Sequence, residues 1–181
     1  MRSFLLLVTS LLAFTIPSLA ETVDLGHYGQ VKLAVPGGWG MQSQKVGDIG
    51  VNLTVRPKSD ANAACKVTIA FTNQKEEVSA EEQQKRFEKM AAIFAQSSVE
   101  QKIEVQKIRL KSGVGFYACF TDPNLVGKPP EPRNYKVLAP AMIVLSKDVL
   151  ISVTLFTDDK TSQEFTDLVK MLESVVLVNT L

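Results

Sequence analysis

Histidine occurs once, at His27, and tryptophan once, at Trp39, while cysteine occurs twice, at Cys65 and Cys119. A mechanism that needs an imidazole base must therefore converge on His27, and no G-x-S-x-G or S-x-x-K motif supplies a nucleophile for it. Zinc wants several Cys or His ligands, and these few residues are widely spaced. Asp158-Asp159 could bind calcium, but no D-x-D-x-D-G loop surrounds them, and acids before a helix are already favoured by its dipole. Gly37-Gly38-Trp39-Gly40 lacks the lysine and the strand-loop-helix setting of a phosphate cradle. No cofactor is expected. A charge excess is missing too: leaving out Arg2, the chain has 19 basic residues against 19 acidic ones. A nucleic-acid partner normally demands a basic surplus, so none is expected.

Long apolar runs are also scarce. Only Phe4 to Ile16 stands out, preceded by Arg2 and followed by Pro17-Ser18-Leu19-Ala20, with small residues before the expected cut between Ala20 and Glu21. That is the pattern of a cleavable secretory signal, too short for the ~20 residues of a spanning helix. The expectation is a signal over 1–20, one domain over 21–181 with no transmembrane segment, and a periplasmic or secreted location. In an oxidising compartment Cys65 and Cys119 read first as one disulfide; two inert buried thiols are the alternative, and a catalytic thiol would have only His27 as its base.

Val23 and Leu25 alternate into Val31, Leu33 and Val35 around Gly26-His27-Tyr28-Gly29, which predicts a hairpin. A second pair follows, with Val51, Leu53 and Val55, turn residues from Pro57 to Asn62, and Cys65, Val67, Ile69 and Phe71 on one face. Ser79 and Glu82 have capping-box spacing, predicting a helix over 80–97 with Phe87, Met90, Ala91 and Phe94 inward. Lys102 to Leu110 slips in phase, as a bulge or edge strand would, and Ser112-Gly113 turns it into Val114 to Phe120. Val137 to Leu145 and Val149 to Phe156 are nearly continuous apolar strands of the kind buried on both faces. Thr161 and Glu164 repeat the capping spacing before a helix carrying Phe165, Leu168, Val169, Leu172, Val175 and Val176. The class is therefore α+β: a mostly antiparallel sheet covered by helices on both faces, an α/β/α sandwich.

This order, with an alternating strand running into Val35-Pro36-Gly37-Gly38-Trp39, resembles the PsbP-like fold. The resemblance implies a mostly non-catalytic extracytoplasmic or assembly protein and brings no binding residue with it. Together with the style of the signal it implies the bacterial cell envelope.

The candidate binding loop is Asp122 to Asn134, with Asp122, Pro123, Lys128, Pro129, Pro130, Glu131, Pro132 and Arg133 as its site residues. A connection this long is uncommon in a compact domain, and proline stiffens it for recognition; a plain crossover is the alternative. The expected partner is another envelope protein. Other readings stay open: a hydrolase assembled around His27, or a small-ligand carrier with an apolar cavity near Trp39, which otherwise plugs the core. His27 reads as an exposed turn residue. Lys102, Lys107, Arg109 and Lys111 read as a protected edge or an acidic-partner patch, and the Asn52-Leu53-Thr54 sequon as a chance match within a strand.

Overall fold

A computed structural model describes residues 19–72, 74 and 76–178. Among the described residues, eleven strands and two α-helices follow one another: β1 (Leu19–Asp24), β2 (Gln30–Val35), β3 (Trp39–Val46), β4 (Gly50–Pro57), β5 (Ala64–Phe71), α1 (Ala80–Ala95), β6 (Gln106–Lys107), β7 (Val114–Tyr117), β8 (Phe120–Thr121), β9 (Val137–Val144), β10 (Val149–Thr157), α2 (Gln163–Glu173) and β11 (Val176–Val178). All pairings among these strands are antiparallel. The class is α+β with mostly antiparallel sheet. Most of the expected signal lies outside the described residues; Leu19 and Ala20 pair with Val35 and Ala34 in β1.

Instead of the single sheet expected, the strands form two. The larger has the order β3-β4-β5-β10-β9-β7-β6, with β8 also on β9, and the smaller has the order β1-β2-β11. The smaller sheet gains its third strand because the last helix ends early. Its expected residues Val175 and Val176 leave α2 after Glu173, and Val176 begins a strand that pairs with Lys32 of β2. The Ser174 hydroxyl ties the junction by accepting the Ala34 N–H and donating to the Met171 carbonyl.

Both helix starts rest on serine. Ser79 Oγ accepts from Glu82 N–H at 3.2 Å, as the capping box requires. In α2 the cap is Ser162, one residue later than expected, accepting from Phe165 N–H at 3.1 Å. Thr161 instead donates to Asp159.

Two hydrophobic clusters hold the elements together. The larger takes Ala139, Ala141 and Ile143 of β9, alternate residues of β4, β5 and β10, the β1–β2 hairpin, and Phe165, Leu168, Met171 and Leu172 of α2. The smaller joins Phe87, Ala91 and Ala95 of α1 to Phe116, Ala118, Phe120 and Met142. Of the two strands expected to be buried on both faces, β9 is. In β10, Val149, Ile151, Val153 and Leu155 are buried while Ser152 is exposed and Leu150, Thr154 and Phe156 are half-buried.

A proline sits inside the central strand β9. Ala118 N–H donates to the Pro140 carbonyl at 3.2 Å, but proline has no N–H to return to residue 118, so the ladder loses a bond there. That position is where pairing along β9 divides into β7 and β8. Proline is normally excluded from central strands for this reason. In the turn that leads into β7, Gly113 has φ +82°, and a Cβ there would lie 2.3 Å from the Val144 carbonyl oxygen, so that turn requires glycine.

The expected disulfide is not formed: Cys65 and Cys119 are free thiols. Register explains why. Cys65 lies opposite Leu155, and Leu155 opposite Ala139. Cys119 continues the row on the far side of Ala139, between pairs Tyr117–Ala141 and Phe120–Leu138. Three strand spacings amount to about 14 Å, against the roughly 7 Å Cα separation a bridge tolerates. Burial raises the pKa of both thiols, that of Cys119 to about 11 despite the nearby Lys160, so neither is a ready nucleophile. Protein purified without reductant should therefore show two alkylatable cysteines once unfolded, with Cys65 silent in the native state; a disulfide in the intact mass would contradict this register.

The candidate binding loop and its cleft

The segment from Asp122 to Asn134 leaves β8 and returns to β9 through two tight turns. Asp122 caps the first, a 3-10 turn over Pro123–Leu125, by accepting from Asn124 N–H at 2.8 Å. The second is Glu131-Pro132-Arg133-Asn134, closed by Asn134 N–H donating to the Glu131 carbonyl at 3.0 Å. Pro132 occupies the position that favours proline. Arg133 follows at φ +65°, a left-handed conformation that glycine normally supplies.

One side chain from elsewhere fixes this turn. Asn62, in the β4–β5 connection, accepts from Arg133 N–H at 2.9 Å and donates to the Glu131 carbonyl at 2.9 Å, in the manner of a pairing strand. Its amide also donates to Asp158 Oδ2 at 2.9 Å. Asp158 in turn accepts weakly from Lys136 N–H at 3.4 Å, where the loop re-enters the sheet. Thus Asp158 is a structural acceptor. The loop is nevertheless on the surface: Pro123 and Lys128 through Arg133 are all exposed, and Val126 is 58% exposed.

At the root of the loop lies a cleft of about 330 Å³ between the end of α1 and strands β8–β10. Phe94, Phe120, Leu138 and Phe156 give it apolar walls, and Asp122, Asn124, Tyr135 and Lys136 bring polar groups. A few placed polar groups on an apolar lining are the usual make-up of a binding pocket. The loop is legible in the sequence; the cleft is not. Its aromatic wall is drawn from Phe94, Phe120 and Phe156, which lie far apart in the chain.

The wall behind the cleft is held by Glu100. Its carboxylate accepts from Thr121 N–H and Thr121 Oγ1, each at 2.8 Å, and meets Lys160 Nζ at 3.6 Å. Partial burial works against its ionisation, but the Thr121 hydrogen bonds and the Lys160 charge outweigh it and hold the carboxyl below its ordinary value.

The other candidates are not brought to this site. His27 lies in an exposed 3-10 turn, its ring 3.9 Å from that of Tyr28, which stacks on Phe71 at 4.3 Å. The cleft of about 290 Å³ beside it includes Asp24, Lys45 and Asp48 but no serine, threonine or cysteine. Trp39 is 8% exposed in the larger core cluster, the plugging role expected of it. Of the basic stretch, Lys107 lies in edge strand β6, and Lys102 pairs with Glu104. The sequon's Asn52 accepts from Thr68 Oγ1 within the sheet.

The chain matches no protein-family model and no curated protein sequence. Among solved structures, that of cyanobacterial PsbP (CyanoP) from Synechocystis sp. PCC 6803, determined in solution, aligns over 94% of this chain and 99% of its own, with a TM-score of 0.53. The fold is PsbP-like. At 14% identity the likeness is one of fold, which agrees with the resemblance seen around Val35–Trp39. Among the described residues, no helix of this PsbP-like domain is long and apolar enough to cross a membrane.

Two variants test the loop's supports. Asn62→Ala removes its three bonds to the 131–134 turn, to the Glu131 and Asn134 carbonyls and from Arg133 N–H, and should raise amide exchange at Arg133 and Asn134 while costing only about 1–2 kcal/mol in urea unfolding. Glu100 has a lower pKa folded than unfolded, so its contribution is present above the ordinary carboxylate pKa and lost as pH falls through the folded value. Glu100→Gln should cost about 1 kcal/mol at neutral pH, and the gap to the parent should close as pH falls below the ordinary carboxylate range and through the lowered folded value. A gap that is independent of pH would remove the charge from this account.

Proposed function

We propose that the chain is a non-catalytic exported binding or assembly factor of the bacterial cell envelope, holding another envelope protein through the Asp122–Asn134 loop and the cleft at its root. The observation that carries this reading is Arg133. An exposed arginine is held at φ +65° by a buttress from another part of the chain, where glycine would sit with less strain. Backbone strain of this kind concentrates where a surface must be presented in one shape. A pre-ordered loop loses little entropy when it binds, and the aromatic cleft beside it suits an apolar anchor residue from a partner. The family resemblance supports the absence of chemistry. The two hydrophobic clusters, one around each helix, support an α/β/α layering in which α1 and α2 cover opposite faces and leave the loop end open.

Replacing Lys128 to Arg133 with a Gly/Ser stretch should leave unfolding cooperative and abolish partner capture, read by a photo-crosslinker at Val126 in the native compartment. His27→Ala should change neither. Arg133→Gly should leave stability equal or raise it by up to about 1 kcal/mol while still weakening capture. If His27→Ala abolishes the native phenotype and the loop replacement is silent, the hydrolase reading takes the place of this one.

A further inference from the structure

The two ends of the larger sheet differ in a way that bears on assembly. At one end β6 is two residues long, with Lys102, Arg109 and Lys111 close by in sequence, the short and charged form that deters strand addition. At the other end β3 runs for eight residues, WGMQSQKV, without proline or acid and with a single lysine, and no described strand pairs with its outer side. Four residues in its middle and end, Gln42 to Lys45, are exposed.

Register tells which of its backbone groups are free. Lys58 N–H donates to the Gly38 carbonyl at 2.8 Å, and Phe71 N–H to the Ile49 carbonyl at 3.1 Å. With the pairing Gln42↔Thr54 and Gln44↔Asn52, these bonds direct the even-numbered residues of β3 toward β4. The N–H and C=O groups of Met41, Ser43 and Lys45 therefore point outward.

We propose that β3 pairs antiparallel with β3 of a second copy of this chain, with the two-fold axis at Ser43, joining two eight-stranded sheets into one. In that register Ser43 faces Ser43 and Met41 faces Lys45, so every outward N–H and C=O of the three residues finds a partner. Gln42 falls opposite Gln44, where side-chain amides can bond across the strands. The lone cation, Lys45, meets a methionine, so no like charges oppose each other. A strand whose free groups and charges complement their own two-fold image is what an isologous interface requires. A foreign extended peptide is the competing occupant of this edge.

Sedimentation equilibrium of the purified protein over a wide concentration range decides between them. A reversible monomer–dimer equilibrium is expected, with the amides of Met41, Ser43 and Lys45 gaining hydrogen-exchange protection as concentration rises and those of Gln42 and Gln44 unchanged. Ser43→Pro removes an outward N–H that makes no bond to β4, and should weaken dimerisation at least about tenfold while the sheet persists. A protein that stays monomeric throughout, or a dimer whose exchange pattern lacks this alternation, overturns the proposal. The exchange pattern is read on the unaltered chain, so it decides even if Ser43→Pro fails to fold.

Discussion

Both hydrophobic clusters depend on one strand. Alternation along β9 sends Ala139, Ala141 and Ile143 into the cluster shared with α2 and the small sheet, and Met142 into the cluster built on α1. Small residues on the first of these faces matter as much as apolar ones, because alanine lets the covering elements approach closely. Its neighbour β10 is fully buried on one side only, its other side reaching the α1 cluster through half-buried Leu150. Pro140 is the cost of this position. It fits a strand buried on both sides as an apolar group, yet it cannot complete the ladder to residue 118, and the partner strand divides opposite it.

That division shapes the functional end of the molecule. Past the gap, β8 has only Phe120 and Thr121 before Asp122 opens the loop, so loop, cleft and Glu100 clamp all hang from a two-residue strand. The strand is too short to fix their geometry by its ladder alone. Side chains from distant parts of the chain do so instead: Glu100 from beyond α1, Asn62 from the β4–β5 turn and Asp158 from the end of β10. The loop's order is thus a property of tertiary hydrogen bonds and not of its prolines alone.

The elements legible in the sequence were those with a strong period or a cap. The β1–β2 hairpin, the β4–β5 pair, the start of α1 at Ser79 and strands β9 and β10 could all be read this way. What escaped had no such signal. In β3, polar residues outnumber apolar ones because only Trp39 and Met41 reach the core, so the strand looks like a turn followed by loop. Val176 to Val178 continue the apolar content of α2, and nothing local marks the change from helix to strand; β2, far away in the chain, decides it. The cysteine row failed for a related reason: period-two alternation assigns residues to a face but not to a neighbour, and two strands stand between Cys65 and Cys119. The candidate loop was legible by length and proline content, whereas its buttress and cleft come from residues that only the fold brings together.

The blunt β6 end has a consequence for solubility at high concentration. A sheet whose two edges were equally receptive could add copies at both, and growth would continue into a fibre. Here the receptive edge is used up by a single two-fold contact, and each outer margin that remains is a two-residue strand ending in a lysine. Polymerisation of the larger sheet is therefore blocked by the same asymmetry that leaves one side able to associate, and the basic residues near β6 act as chain terminators.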